Sequence, residues 1–162
     1  MKKLYFIIIS LLITCINLNA QQSFESLSDY IEDNGGIAKM LEDPASFNYV
    51  NTRCAGYFLF YAGAVQNLDD GKLTNIYADR AIQLTMISTK LDIALNVDKT
   101  KDLKIITDNT NKKILDISKL YRADMDKNYI TTGENIIDTY LEDERDICDD
   151  FYVLMQKWEQ VK

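Results

Sequence analysis

Not one of the 162 residues is histidine. That absence removes the commonest general base, the Ser–His and Cys–His nucleophile pairs, and the usual zinc and copper ligands. It also excludes c-type haem attachment, which needs C-x-x-C-H. Proline occurs once, at Pro44, and glycine six times, so little of the chain reads as loop. There is no glycine-rich phosphate loop, and Gly35-Gly36 alone is a helix stop. No alternating strand pattern, fixed-length repeat or low-complexity tract is visible. Catalysis by carboxylates alone is possible, but a narrow helical protein offers such acids little cleft. The expectation is a non-enzyme without cofactor.

Long apolar runs are also scarce. The first, Leu4 to Leu12, follows Lys2 and Lys3 and tapers to Asn19-Ala20. That is the charged, apolar and small-residue order of a secretory signal peptide, which assigns residues 1–20 to a leader and 21–162 to a single helical domain. The run is short for a bilayer span of about 20 apolar residues. Lipidation at Cys15 is the alternative, although Thr14 fits poorly as the residue before a lipidated cysteine. The expected destination is the periplasm or the exterior of a bacterium, with no stable membrane insertion after cleavage. Loss of the leader leaves 16 basic against 25 acidic side chains. A chain that acidic is repelled by nucleic acid and by anionic membranes.

Beyond the leader only Cys54 and Cys148 remain. In an oxidising compartment an even pair reads as a disulfide, with two separate buried thiols as the alternative. Closing a loop of roughly 95 residues is worth ~4 kcal/mol in the chain-entropy account.

What the chain does contain is helical periodicity. Ser23 precedes a short amphipathic piece with Phe24, Leu27 and Ile31, and "IAKMLED" follows the glycine pair. Asp43 and Pro44 then supply an N-cap and a first helical residue for a long helix to about Asn67. A second runs from about Leu73 to Asn96, with Leu73, Tyr77, Arg80, Leu84, Ile87, Leu91 and Ala94 stepping alternately by four and three. A third runs from about Thr100 to Lys127, with Leu103, Ile106, Thr110, Ile114, Ile117, Tyr121 and Met125 on one face, and "NYITTGE" then breaks the pattern. Thr131 and Glu134 form a capping box for a fourth, whose seam is Ile137, Leu141, Glu144, Cys148, Phe151, Met155 and Trp158. Short turns between long helices imply an all-α, antiparallel up-down-up-down four-helix bundle, with the short N-terminal helical segment packed across it. Cys54, on the seam of the first long helix, then faces Cys148 on the last.

The second uncharged run, "CAGYFLFYAGAV" at 54–65, makes only about 18 Å of helix, too little to cross a bilayer. A helix apolar all round is normally buried all round. Its small side, Ala55, Gly56, Leu59, Ala62 and Gly63, is expected to lie under segment 23–42, with a dimer or partner surface as the alternative.

Three constellations stand out. The acidic run "EDERDICDD" presents Glu142, Asp146 and Asp149 on one helix face, where a solvated surface or a docking face for a basic partner fits better than a metal site. Arg80 and Glu144 are each the lone charge on an otherwise neutral seam, which predicts a buried Arg80–Glu144 ion pair, or two side chains snorkelling at the seam edges. Ile82, Met86 and Ile93 form a second apolar stripe, a candidate interface for a protein partner or a second copy. The expected function is therefore an exported helical module that binds protein, of inhibitor, immunity or adaptor type. The alternative is a carrier of a small apolar ligand or lipid in the bundle core, which a large apolar cavity beside Tyr57 and Tyr61 would favour.

Overall fold

The computed structural model describes residues 25–96, 102–133 and 139–160. Among these there are six α-helices and no strand: α1 (Leu27–Asp33), α2 (Gly36–Glu42), α3 (Pro44–Ala64), α4 (Lys72–Leu95), α5 (Leu103–Thr132) and α6 (Thr139–Gln160). The expected leader with Cys15, together with Ser23, Phe24, Glu134 and Ile137 and the side chain of Trp158, lies outside the described residues.

The helix starts follow local chemistry. Ser26 caps α1 by accepting from the Asp29 amide (3.0 Å). Asp43 caps α3, accepting from the amides of Ala45 (3.3 Å) and Ser46 (3.0 Å), with Pro44 in the first turn as expected. Asp102 does the same for α5 through the Lys104 amide (2.9 Å). Helix α5 does not stop at Lys127. Thr131 and Thr132 donate their hydroxyls to the carbonyls of Lys127 (2.8 Å) and Asn128 (2.9 Å), so the helix continues through "NYITT". It ends at Gly133, whose φ of 75° is open to glycine and strained for other residues. Thr131 is thus an interior helical residue and not the capping residue of the next helix.

Helix α3 is the centre of the structure. Every residue from Val50 to Phe58 is buried, more than two full turns without an exposed side. It packs on α2, α4, α5 and α6, which answers what the uncharged run at 54–65 is for: most of it is core. No helix among the described residues is long and apolar enough to cross a membrane. The small side of α3 is covered differently from expectation. Gly56 lies against the Ile117 side chain, and a methyl group there would also come 3.2 Å from the Ile114 carbonyl. The neighbour over Gly56 is therefore α5, whose backbone approaches because no Cβ stands in the way. Leu59 on that side is partly exposed. Helices α1 and α2 pack on the α6 and α3 surfaces instead, with the rings of Tyr30 and Tyr49 4.1 Å apart.

The expected α6 seam is buried where described, at Leu141, Glu144, Cys148, Phe151 and Met155, whereas on α5 Ile106, Thr110, Ile114, Ile117 and Tyr121 are buried, Met125 is half-buried and Leu103, in the first turn of the helix, is exposed. The α4 seam is rotated. Ala81, Leu84 and Ser88 are its buried residues, and Ala94 is exposed. The cause is polar. Asn51 on α3 donates to the Leu84 carbonyl (2.7 Å) and to the Ser88 hydroxyl (2.6 Å), which turns Ser88 inward.

Gly56→Ala should lower stability by about 1–3 kcal/mol, the range for overpacking a filled site. The urea midpoint of the oxidised protein measures it. An unchanged midpoint would mean that α5 does not approach α3 this closely.

Candidate functional site

The expected Arg80–Glu144 pair is not formed. Glu144 is buried, but its partner is Arg53 of α3: Nη2 donates to Oε1 at 2.7 Å, with both side chains 1% exposed. Long charged groups are rarely buried unless fully bonded, and these are. The Leu27 amide donates to Glu144 Oε1 (2.8 Å), and the Tyr121 hydroxyl donates to Oε2 (2.5 Å). That same hydroxyl accepts from Arg53 Nε (3.0 Å), while Nη1 donates to the Glu25 carbonyl (2.9 Å) and the Tyr49 hydroxyl (3.2 Å). Burial opposes the guanidinium's charge, yet Tyr121 and Glu144 beside it hold its pKa above the ordinary arginine value. One ion pair thereby joins α3, α5, α6 and the entry to α1.

Arg80 faces another way. Its guanidinium lies 5.4, 5.3 and 5.1 Å from the ring centres of Phe58, Tyr77 and Tyr152, and it donates to Asp149 of α6. This pair is partly exposed. Burial raises the Asp149 pKa even with Arg80 and Arg145 close by. Sequence reasoning passed over Arg53, although a signal was present: it is the one charged residue between Pro44 and Asn67.

Cys54 and Cys148 are joined by a disulfide, with Cα atoms 5.2 Å apart and 94 residues of separation. A third polar cluster links α3, α4 and α5. Asn48 donates to Asp92 Oδ1 (2.6 Å), Thr110 donates to Asp92 Oδ2 (2.5 Å), and the hydroxyls of Thr52 and Ser88 are 3.0 Å apart.

The concave feature of interest opens where α3 ends. A cavity of about 360 Å³ is lined by Tyr57, Phe60, Tyr61, Val65, Met125 and Leu141, with Ala64, Leu68, Asn67 and Arg122 completing the wall. Burial pushes the Tyr57 phenol well above its ordinary pKa. It stays neutral and donates to the Leu141 carbonyl (3.4 Å). The Arg122 guanidinium lies 5.9 Å from the centre of the Phe60 ring. Among the described residues no aspartate or glutamate lines this cavity.

Along α4, Ile82, Met86 and Ile93 are 58%, 55% and 38% exposed. The acids of α6 do not converge: among the described residues no group of three or more Asp, Glu or Cys side chains could hold a metal ion.

Glu144→Ala should cost about 3–5 kcal/mol, because it strands the buried Arg53 charge. Combining Arg53→Met with Glu144→Leu should cost less than either single change, whereas Asp149→Asn, at a partly exposed pair, should cost less than about 1 kcal/mol. Denaturant melts of these variants and of the Arg53→Met and Glu144→Leu singles test this; a loss below about 1 kcal/mol for Glu144→Ala would contradict the node.

The chain matches no protein-family model, no curated protein and no solved structure, so its activity has to be sought in this geometry.

Proposed function

We propose that this chain is an exported, non-enzymatic helical protein that binds a small, largely apolar molecule in the cavity at the C-terminal end of α3. The observation that carries this is the cavity itself. Small-molecule sites are concave, a few hundred Å³ in volume, and lined by aromatic and aliphatic side chains with a few polar groups. The space beside Tyr57 and Tyr61 has that volume and that lining. The disulfide supports an oxidising compartment. In this reading the four long helices run up, down, up and down. The ring pair Phe47–Phe151, the bonded Cys54–Cys148 and the Tyr57–Leu141 hydrogen bond support an antiparallel α3 and α6. The cavity then lies at one end of the bundle, where a ligand enters without prying helices apart.

A second reading, docking of a protein partner or a second copy, rests on the exposed Ile82–Met86–Ile93 stripe. It requires that Met86→Lys abolish any concentration-dependent dimer, or any co-purifying protein, seen by light scattering on a sizing column. A monomer without partner before and after the change would remove this reading.

For the cavity, the neutral fluorophore N-phenyl-1-naphthylamine serves as probe. The oxidised protein should enhance its emission saturably. Ala64→Trp, at an exposed wall position, should abolish that enhancement without changing the thermal midpoint by more than a few degrees. Equal enhancement in both proteins would place the probe elsewhere and overturn the proposal.

A further inference from the structure

We infer that the ligand is a carboxylate with an apolar body, its charged end held by Arg122 at the mouth of the cavity. This rests on the cavity reading above and adds the chemical class.

The chain has four arginines and 25 acidic residues. Arg53, Arg80 and Arg145 each pair with a carboxylate of the protein. Arg122 is the one arginine that makes no such pair among the described residues. In so acidic a protein an unpaired guanidinium at a cavity mouth is a vacancy for an external anion. Its neighbours strengthen this. The ring of Phe60 lies beneath it, and guanidinium groups stack on aromatic faces, which keeps the planar fork aimed rather than free in solvent. The nearby polar groups, the Asn67 amide and the Tyr61 hydroxyl, can both donate.

Among the described residues the wall holds a guanidinium and no carboxylate, a lining that favours an anionic ligand end over an ammonium. A phosphate dianion would meet one cation only, whereas a carboxylate is satisfied by a single bidentate arginine. Size narrows the class further. A cavity of about 360 Å³ is roughly twice the ~150 Å³ space that takes up benzene. A two-ring aromatic acid or a medium-length fatty acid matches that space.

The test uses an isosteric pair, 2-naphthoate and 2-naphthamide, titrated calorimetrically into the oxidised protein. The naphthoate should bind at least about tenfold more tightly, the worth of one charge-assisted contact. Arg122→Gln, a change at an exposed position, should bring the naphthoate down to the amide's affinity and leave the amide unchanged. Ala64→Trp should abolish both. If acid and amide bind equally well and Arg122→Gln moves neither, while Ala64→Trp removes both, the carboxylate assignment is wrong and the cavity reading stands. If neither binds, or if Ala64→Trp leaves both intact, the cavity reading fails and takes this inference with it.

Discussion

One buried ion pair holds together elements that are distant in sequence. Arg53 and Glu144 sit 91 residues apart on the chain and 2.7 Å apart in the fold. A pair this dry is weak evidence of stability in itself, because desolvation of both charges offsets most of their attraction. Its importance is geometric. Each remaining lone pair and proton needs a partner, and those partners come from Leu27, Glu25, Tyr49 and Tyr121. Satisfying two charges therefore fixes where α1 begins, how α5 is rotated and how far α6 has slid along α3. Apolar packing alone tolerates small slips; a bonded charge does not.

The disulfide acts at the same level of the fold and reaches it by a different route. Cys54 follows Arg53 directly, and Cys148 stands one helical turn after Glu144. Given the cystine, Arg53 lies near Glu144 as a matter of helix geometry. The residue pattern contained this, yet periodicity pointed to Arg80, because Arg80 stands on a stripe of regular spacing and Arg53 stands in a stretch of helix with no exposed face. Periodicity singles out the odd charge on an amphipathic helix. On a helix buried all round it has no face against which to measure.

That limit explains what was legible and what was not. Helix number, the Asp43–Pro44 start, the seams of α5 and α6 and the cystine all follow from local chemistry and spacing. The end of α5 did not, because two threonine hydroxyls bonded back into the helix and let β-branched residues continue it. Nor did the turn of α4, which answers to Asn51 and Ser88 rather than to its apolar stripe. The neighbour of Gly56 was also hidden. A glycine marks a close approach, but the sequence does not say by which helix. Tyr57 and Tyr61 were legible as core aromatics beside which a cavity would matter, but its existence and size were not, since volume is what is left after every other contact has been made.

Tyr121 connects the charged centre to that volume. Its hydroxyl is bonded on both sides, from Arg53 and to Glu144. Its ring meets Tyr57 edge-on at 5.4 Å and lies along Phe60 at 6.0 Å, and those two rings are cavity wall. A tyrosine tied at its polar end cannot swing, so the rings packed on it cannot close inward to fill the space. Phe60 in turn underlies Arg122. A run of contacts therefore leads from the buried ion pair through Tyr121 and Phe60 to the guanidinium at the mouth. A cavity of this size in so small a protein gives up packing energy, and side chains free to move would collapse into it. The costly buried charges supply the stiffness that keeps it open. On this account the ion pair contributes less to stability than to the shape of the site.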